Sequence, residues 1–91
     1  AVVVEDCASA ASISNFATGV ALLGTYLQED VLYRLGGYKR ITVALDKDAT
    51  DKAVDMSLRI NNKHGDIVDL AILDRDLKKL TEDQAKEILK I

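Results

Sequence analysis

The stretch ITVALDKD, residues 41–48, decides the fold, because five mostly apolar residues are followed at once by two aspartates on either side of a lysine. A second stretch of the same kind, AVVVE at residues 1–5, ends in Glu5. Apolar runs of this kind are typical of parallel strands covered on both faces, and such strands should stop at their first charge because an unpaired buried charge is costly. The sequence therefore predicts two buried strands that carry carboxylates at their carboxyl ends.

Glu5, Asp46 and Asp48 are the candidate site residues that follow from this pattern. The carboxyl ends of neighbouring parallel strands meet at one edge of the sheet, and ligands of open α/β sheets bind outside that edge. Carboxylate oxygens are suitable ligands for a hard divalent cation, so we expect these acids to hold Mg²⁺ or Mn²⁺. The alternative interpretation is that the acids only cap the helices that follow, since anionic side chains are favourable at helix N-termini.

Strand-like runs alternate with stretches of helical period along the whole chain. Strands are predicted at residues 1–4, 19–23, 41–45 and 67–73. Four helices are predicted from residues at helical spacing. The first carries Ala8, Ala11, Ser12 and Phe16, and the second carries Leu27, Val31, Leu32 and Leu35 and ends at Gly36 and Gly37. The third carries Ala49, Ala53, Met56 and Ile60 and ends near Gly65, and the fourth begins with a capping box at Thr81. Strands joined by single helices cannot be hairpins. With right-handed crossovers, the prediction is an α/β fold: a small Rossmann-like three-layer sandwich whose four-stranded parallel sheet has helices on both faces.

Composition limits the class of protein. The 91 residues are 48% hydrophobic and 30% charged, which predicts one globular domain over residues 1–91, without a membrane span and in the cytoplasm. One cysteine and one histidine provide neither a disulfide nor a zinc-ligand set, and Cys7 is expected in the core. A net charge of −3 argues against tight nucleic-acid binding by this chain alone. Because residue 1 already lies within the first predicted strand, we expect the chain to be a fragment of a larger protein.

No glycine-rich phosphate loop such as G-x-G-x-x-G follows the first strand, which disfavours dinucleotide binding. Three segments resemble something else: VVVE at residues 2–5, LGT at residues 23–25 and DKDATDKA at residues 46–53. Together they resemble the Toprim domain of topoisomerases, primases and related nucleases. Within that family the chain is most similar to bacterial and phage DNA primases, and the resemblance covers nearly all of it.

The resemblance implies roles for particular residues. Glu5 would be the metal-binding or general-base glutamate, and Asp46 and Asp48 would be the paired metal ligands. The full set of candidates comprises Glu5, Asp46, Asp48, Asp74 and Asp76 for the metals, and Lys47 and Lys52 for the substrate phosphates. Three positions depart from the family pattern: Asp6 stands where a glycine is usual, Ser9 where an aspartate is common, and Thr50 where a glycine is common. Lys47 has a simpler alternative role, which is to screen the repulsion between its two neighbours.

The activity implied by the resemblance is metal-dependent nucleotidyl transfer in a DNA primase, which makes RNA primers from ribonucleotides on a single-stranded DNA template. Such a protein also has basic and zinc-binding domains upstream and works with a replicative helicase, so the isolated chain is expected to be inactive. Two alternatives stay open at this point. One is a Toprim nuclease that hydrolyses phosphodiesters with the same acids, and the other is a non-catalytic Toprim module used in assembly.

Overall fold

A computed structural model of the chain describes residues 1–22, 28–74 and 77–90. The strands are β1 (Val2–Val4), β2 (Gly19–Ala21), β3 (Ile41–Asp46) and β4 (Val68–Leu73). The α-helices are α1 (Cys7–Ser12), α2 (Glu29–Arg34), α3 (Thr50–His64) and α4 (Glu82–Leu89). Short 3₁₀ turns follow α2 at Leu35–Gly37, begin α3 at Lys47–Ala49 and precede α4 at Leu77–Lys79. No helix in these ranges is long and apolar enough to cross a bilayer.

All the strand pairs are parallel, and the strand order is β2-β1-β3-β4. This confirms the predicted α/β fold with a four-stranded parallel sheet. The third strand runs one residue further than predicted, because Asp46 still pairs with Leu73 of β4. Leu23, the last residue of the predicted second strand, and Leu27 of the second predicted helix lie outside the described residues.

The sheet is covered on both faces, as predicted, because alternate residues of each strand enter two different cores. Val3, Val43 and Leu45 pack with Leu32 and with α3 on one face. On the other face a second core joins the sheet to α1 and α4; its members from the strands are Val2, Val4, Ala44, Ala71 and Leu73. Since side chains of a strand point alternately to opposite faces, both faces of β1 and β3 can be apolar only if helices cover both.

Helix α3 ends where the sequence predicts and α4 begins where it predicts, but Ala49, predicted in the third helix, lies in the 3₁₀ turn just before α3. Ala53, Met56 and Ile60 of α3 are buried, and the helix ends at Gly65, whose φ of 97° favours glycine. At the start of α4 the capping box is formed, since Thr81 Oγ1 accepts from the Gln84 amide at 3.2 Å and Gln84 Oε1 accepts from the Thr81 amide at 3.0 Å.

Helix α1 differs from its prediction. It ends at Ser12, so Phe16, predicted in the same helix, lies beyond it. It buries Ser9, and Ile13 just beyond its end, whereas Ala8, Ala11 and Ser12, whose spacing predicted the helix, are exposed. Cys7 is also exposed, so its assignment to the core is wrong. The cause is steric: α1 lies so close to β2 that a Cβ on Gly19 would stand 2.7 Å from Ala10 Cα. The helix therefore turns its Ser9–Ala10 side, rather than its most apolar side, towards the sheet.

Candidate functional site

The acids predicted at strand ends do lie at one edge of the sheet. Glu5 directly follows β1, Asp46 is the last residue of β3, and Asp74 directly follows β4, and these three strands are neighbours in the order β1-β3-β4. If the pairing of Val3 with Val43 continued, Glu5 would stand opposite Leu45, one residue before Asp46. The fold thus brings the first two acids to adjacent positions on adjacent strands.

Glu5 and Asp46 line the same small cavity. Its volume is about 10 Å³, and its other lining residues are Val4, Ser9, Ala44, Leu45, Leu73 and Leu77. A space of this size holds about one water molecule. Asp46 follows the alternation of β3 and so lies on the same face as Ala44, which is the face covered by α1 and α4. Glu5 and Asp46 are thus the charged residues of this space, the acidic recess, whose other lining residues are Ser9 and apolar side chains.

The position of this cavity in the topology is informative. From β1 the chain crosses to β2 on one side, and from β2 it returns past β1 to β3 on the other side. The gap between β1 and β3 is consequently the point where the direction of winding reverses. In open α/β sheets with this strand order, ligands bind at that switch point, outside the carboxyl ends of the strands. Glu5 and Asp46 stand at the ends of the two strands that form it.

Helix capping does not account for these two acids. The residue that caps α1 is Asp6, whose Oδ1 accepts from the Ser9 amide at 2.8 Å. Asp46 occupies the N-cap position of the 3₁₀ turn that follows β3, but its side chain makes no capping hydrogen bond. The N-cap residue of α3 is Ala49, which has no side-chain oxygen, so α3 has no side-chain cap. The cap of α1 is thus Asp6 rather than Glu5, and Asp46 forms no side-chain cap.

Four other predicted residues, Lys47, Asp48, Lys52 and Asp74, lie near the same edge of the sheet but do not line the cavity. Lys47 and Asp48 are exposed in the 3₁₀ turn, and Lys52 is exposed in the first turn of α3. The turn is fixed by the Thr50 hydroxyl, which donates to the Lys47 carbonyl at 2.6 Å. Asp74 is exposed just beyond β4. Asp76, the last predicted metal ligand, lies outside the described residues.

Ser9 and Leu77 are lining residues that the sequence did not assign to the site. Ser9 is buried, with only 8% of its surface exposed, and its backbone is held by bonds to Asp6 and Ser12. The available signal was the resemblance described above, in which Ser9 stands at a position where an aspartate is common. Leu77 could not be assigned from sequence, because it reaches the cavity only through the return of the chain after β4.

The donor atoms of this recess fit a hard divalent cation that is completed by other ligands. Across residues 1–22, 28–74 and 77–90, no three His, Cys, Asp or Glu side chains stand close enough together to hold a metal ion. Mg²⁺, however, is commonly bound by one or two protein carboxylates together with waters and substrate phosphates. Glu5 and Asp46 supply two such carboxylates, so the pair fits Mg²⁺ or Mn²⁺ in the presence of a phosphate-containing ligand.

Comparison with known proteins identifies no family for the chain. No family model, no curated protein and no solved structure matches it.

Proposed function

We propose that this chain is the metal-dependent nucleotidyl-transfer subdomain of a DNA primase, acting in RNA primer synthesis on single-stranded DNA. The observation that carries the proposal is that Glu5 and Asp46 share a cavity at the β1/β3 switch point. The sequence pattern selected the same two acids, and within the described residues neither forms a helix cap. The cytoplasm is the compartment that fits this activity.

Each candidate residue has a role in the proposed reaction. Glu5 and Asp46 would hold Mg²⁺ or Mn²⁺ between them, and Glu5 could also accept a proton from an attacking hydroxyl. Lys47 and Lys52 lie beside the same edge, where their ammonium groups could contact phosphates of the incoming ribonucleotide. Asp48, Asp74 and Asp76 would complete the acidic surroundings once substrate is bound. A divalent cation bound there would supply charge neutralisation for the transferring phosphoryl group.

The isolated chain needs additional parts for activity. Its net charge of −3 offers little attraction to a template strand, so basic and zinc-binding domains upstream would have to bind the single-stranded DNA and ribonucleotides. A replicative helicase is the partner that would place the assembly on a template. We expect the chain alone to bind single-stranded DNA more weakly than about 10⁻⁴ M at physiological salt.

Metal binding is tested by comparing two changes that remove the same charge. Asp46→Asn removes a cavity carboxylate, whereas Asp6→Asn removes the neighbouring charge and keeps a good N-cap. We expect Asp46→Asn to weaken Mn²⁺ binding by about tenfold or more, since even outer-shell changes at metal sites cost 10–100-fold. Asp6→Asn should change it only slightly. Paramagnetic broadening of amide NMR signals by Mn²⁺, in the presence of a ribonucleoside triphosphate, measures the affinity.

The outcomes separate the proposal from its alternatives. Broadening that is absent, or that Asp46→Asn leaves unchanged, would exclude the metal site and favour the assembly module. Activity is then tested in a longer protein that joins this chain to basic and zinc-binding domains. The proposal expects metal-dependent primer synthesis that Glu5→Gln abolishes, because an amide can neither accept a proton nor bind a cation well. Cleavage of DNA without primer extension would replace the primase assignment with the nuclease.

A further inference from the structure

A second and much larger cavity lies at the opposite, amino-terminal edge of the sheet. Its volume is about 590 Å³, which is within the range of small-molecule pockets. It opens on the face of the sheet that α1 and α4 cover, between the segment after α1 and the end of α4. The cavity therefore has no lining residue in common with the acidic recess.

The floor and one wall of this cavity are apolar. Val2 and Leu89 are buried members of the core on that face, and Phe16 and Ala17 pack against the same core while remaining partly exposed. An apolar group that entered the cavity would contact these side chains and remove their exposed surface from water. Burial of apolar surface of this kind is the main favourable term for small ligands.

The cavity also has polar lining residues, and their summed charge is positive. Thr18 and Thr42 bring hydroxyl groups, and Arg40, Asp69 and Lys90 bring charges. Arg40 and Asp69 form an ion pair, which raises the pKa of the Arg40 guanidinium through the hydrogen bond and the charge of Asp69. Once this pair is counted as neutral, two cations remain in the lining: the ammonium group of Lys90 and the N-terminal ammonium of Ala1, which donates to the Arg40 carbonyl at 3.3 Å.

Lys90 adopts a backbone conformation that is usually found for glycine. It is the C-cap of α4, with φ 59° and ψ 43°, in the left-handed region. Glycine is the residue that adopts this conformation without steric cost, and a lysine there is uncommon. A lysine at this position adds a side-chain cation to the residues that line the cavity, which a glycine would not do.

We propose that this cavity binds a small organic anion, with an apolar body against Val2, Phe16 and Leu89 and a carboxylate or phosphate group at Lys90 and the Thr18 and Thr42 hydroxyls. The volume sets the size of the ligand, the floor sets its apolar character, and the cationic lining, in which Lys90 is the side-chain cation outside the ion pair, sets the sign of its charge. This function is independent of the acidic recess and of the activity proposed for it.

The test uses three ring compounds that differ in their polar group: phenylacetate, phenyl phosphate and neutral benzyl alcohol. Amide NMR shifts are followed during titration of the whole chain. Molecules of this size bind a good site with dissociation constants of about 1 mM. We expect an anionic compound to shift the amides of Phe16, Thr18 and Thr42, and benzyl alcohol to bind more weakly. Comparison of the two anions decides between carboxylate and phosphate.

Matched variants decide whether Lys90 is responsible. Lys90→Gln should weaken the better anion about two- to fivefold, the range for one solvent-accessible charge pair. Lys63→Gln removes the same charge from α3, outside the cavity lining, and should leave the affinity unchanged. The proposal is overturned if neutral benzyl alcohol binds as tightly as the anions, if Lys90→Gln has no effect, or if the shifts centre on Leu70 and Ile72, the exposed apolar residues of β4.

Discussion

Asn61 should contribute more to stability than its polar, partly exposed position in α3 suggests. Its side-chain Oδ1 accepts from two backbone amides at the start of β4, Ile67 at 3.1 Å and Val68 at 3.2 Å. The Ile67 amide also donates to the Gly65 carbonyl at 2.9 Å. Because the Ile67 carbonyl is bonded to the Ile41 amide, the next amide along β4, that of Val68, points away from β3. Asn61 is thus the acceptor for an amide that the sheet leaves unpaired.

The expected cost of Asn61→Ala follows from these contacts. Leaving the Val68 amide without its acceptor costs about 1–3 kcal/mol, and loss of the second bond to Ile67 costs less because Gly65 remains. Alanine is the better helix former by about 0.5 kcal/mol, which offsets part of the loss. We therefore expect the free energy of unfolding to fall by about 1–2 kcal/mol. Asn61→Asp keeps an acceptor oxygen and should lose less.

The assay is urea denaturation followed by circular dichroism, with Asn62→Ala as the control. Asn62 is the exposed neighbour in the same helix, so its replacement reports the gain in helix propensity without loss of the two bonds. The slope of the free energy against urea concentration should stay constant, which shows that only stability has changed. If Asn61→Ala is as stable as Asn62→Ala, the two hydrogen bonds contribute nothing and the reasoning is refuted. Faster hydrogen exchange at the Val68 amide provides an independent check.

Three further changes test the packing around the sheet. Gly19→Ala should lower the free energy of unfolding by about 1–3 kcal/mol, because the added Cβ overpacks against the backbone of α1. Gly37→Ala, which has nothing within 4 Å of its added Cβ, should change that free energy by less than about 0.5 kcal/mol. Equal melting temperatures for the two variants would contradict this. Asp6→Ala should cost about 1 kcal/mol through loss of the α1 cap while Mn²⁺ affinity stays nearly unchanged, as calorimetry with and without Mn²⁺ would show. Ile72→Lys, on the edge strand β4 with 40% of its surface exposed, should reduce self-association in sedimentation velocity at high concentration, and unchanged association would argue against an open apolar edge.

The sequence by itself determined the layers of the fold. Apolar runs that end in charges predicted buried parallel strands, and the helical spacing of Ala53, Met56 and Ile60 predicted the face that α3 buries. The capping box at Thr81 predicted the start of α4. These features are local, because hydrophobic period and cap chemistry act within one element, so no knowledge of neighbouring elements is needed to find them.

Prediction failed where a neighbouring element decides which face is buried. The phase of α1 depends on its close approach to Gly19 in β2, which is a contact between residues nine apart in sequence and on different elements. Helix α1 consists largely of small alanine and serine side chains, which define no distinct apolar face. Its sequence could therefore not show that Ser9, rather than Ala8, would be buried.

The candidate site divides in the same way. The sequence identified Glu5 and Asp46 as acids at strand ends, because a charged residue that directly follows an apolar run can be recognised from the sequence. Only the tertiary structure decided that β1 and β3 are neighbours, that the winding reverses between them, and that Asp6 serves as a cap while Ser9 and Leu77 complete the recess. Strand order depends on how the crossover helices pack on the whole sheet. It therefore cannot be predicted from the sequence of a single strand.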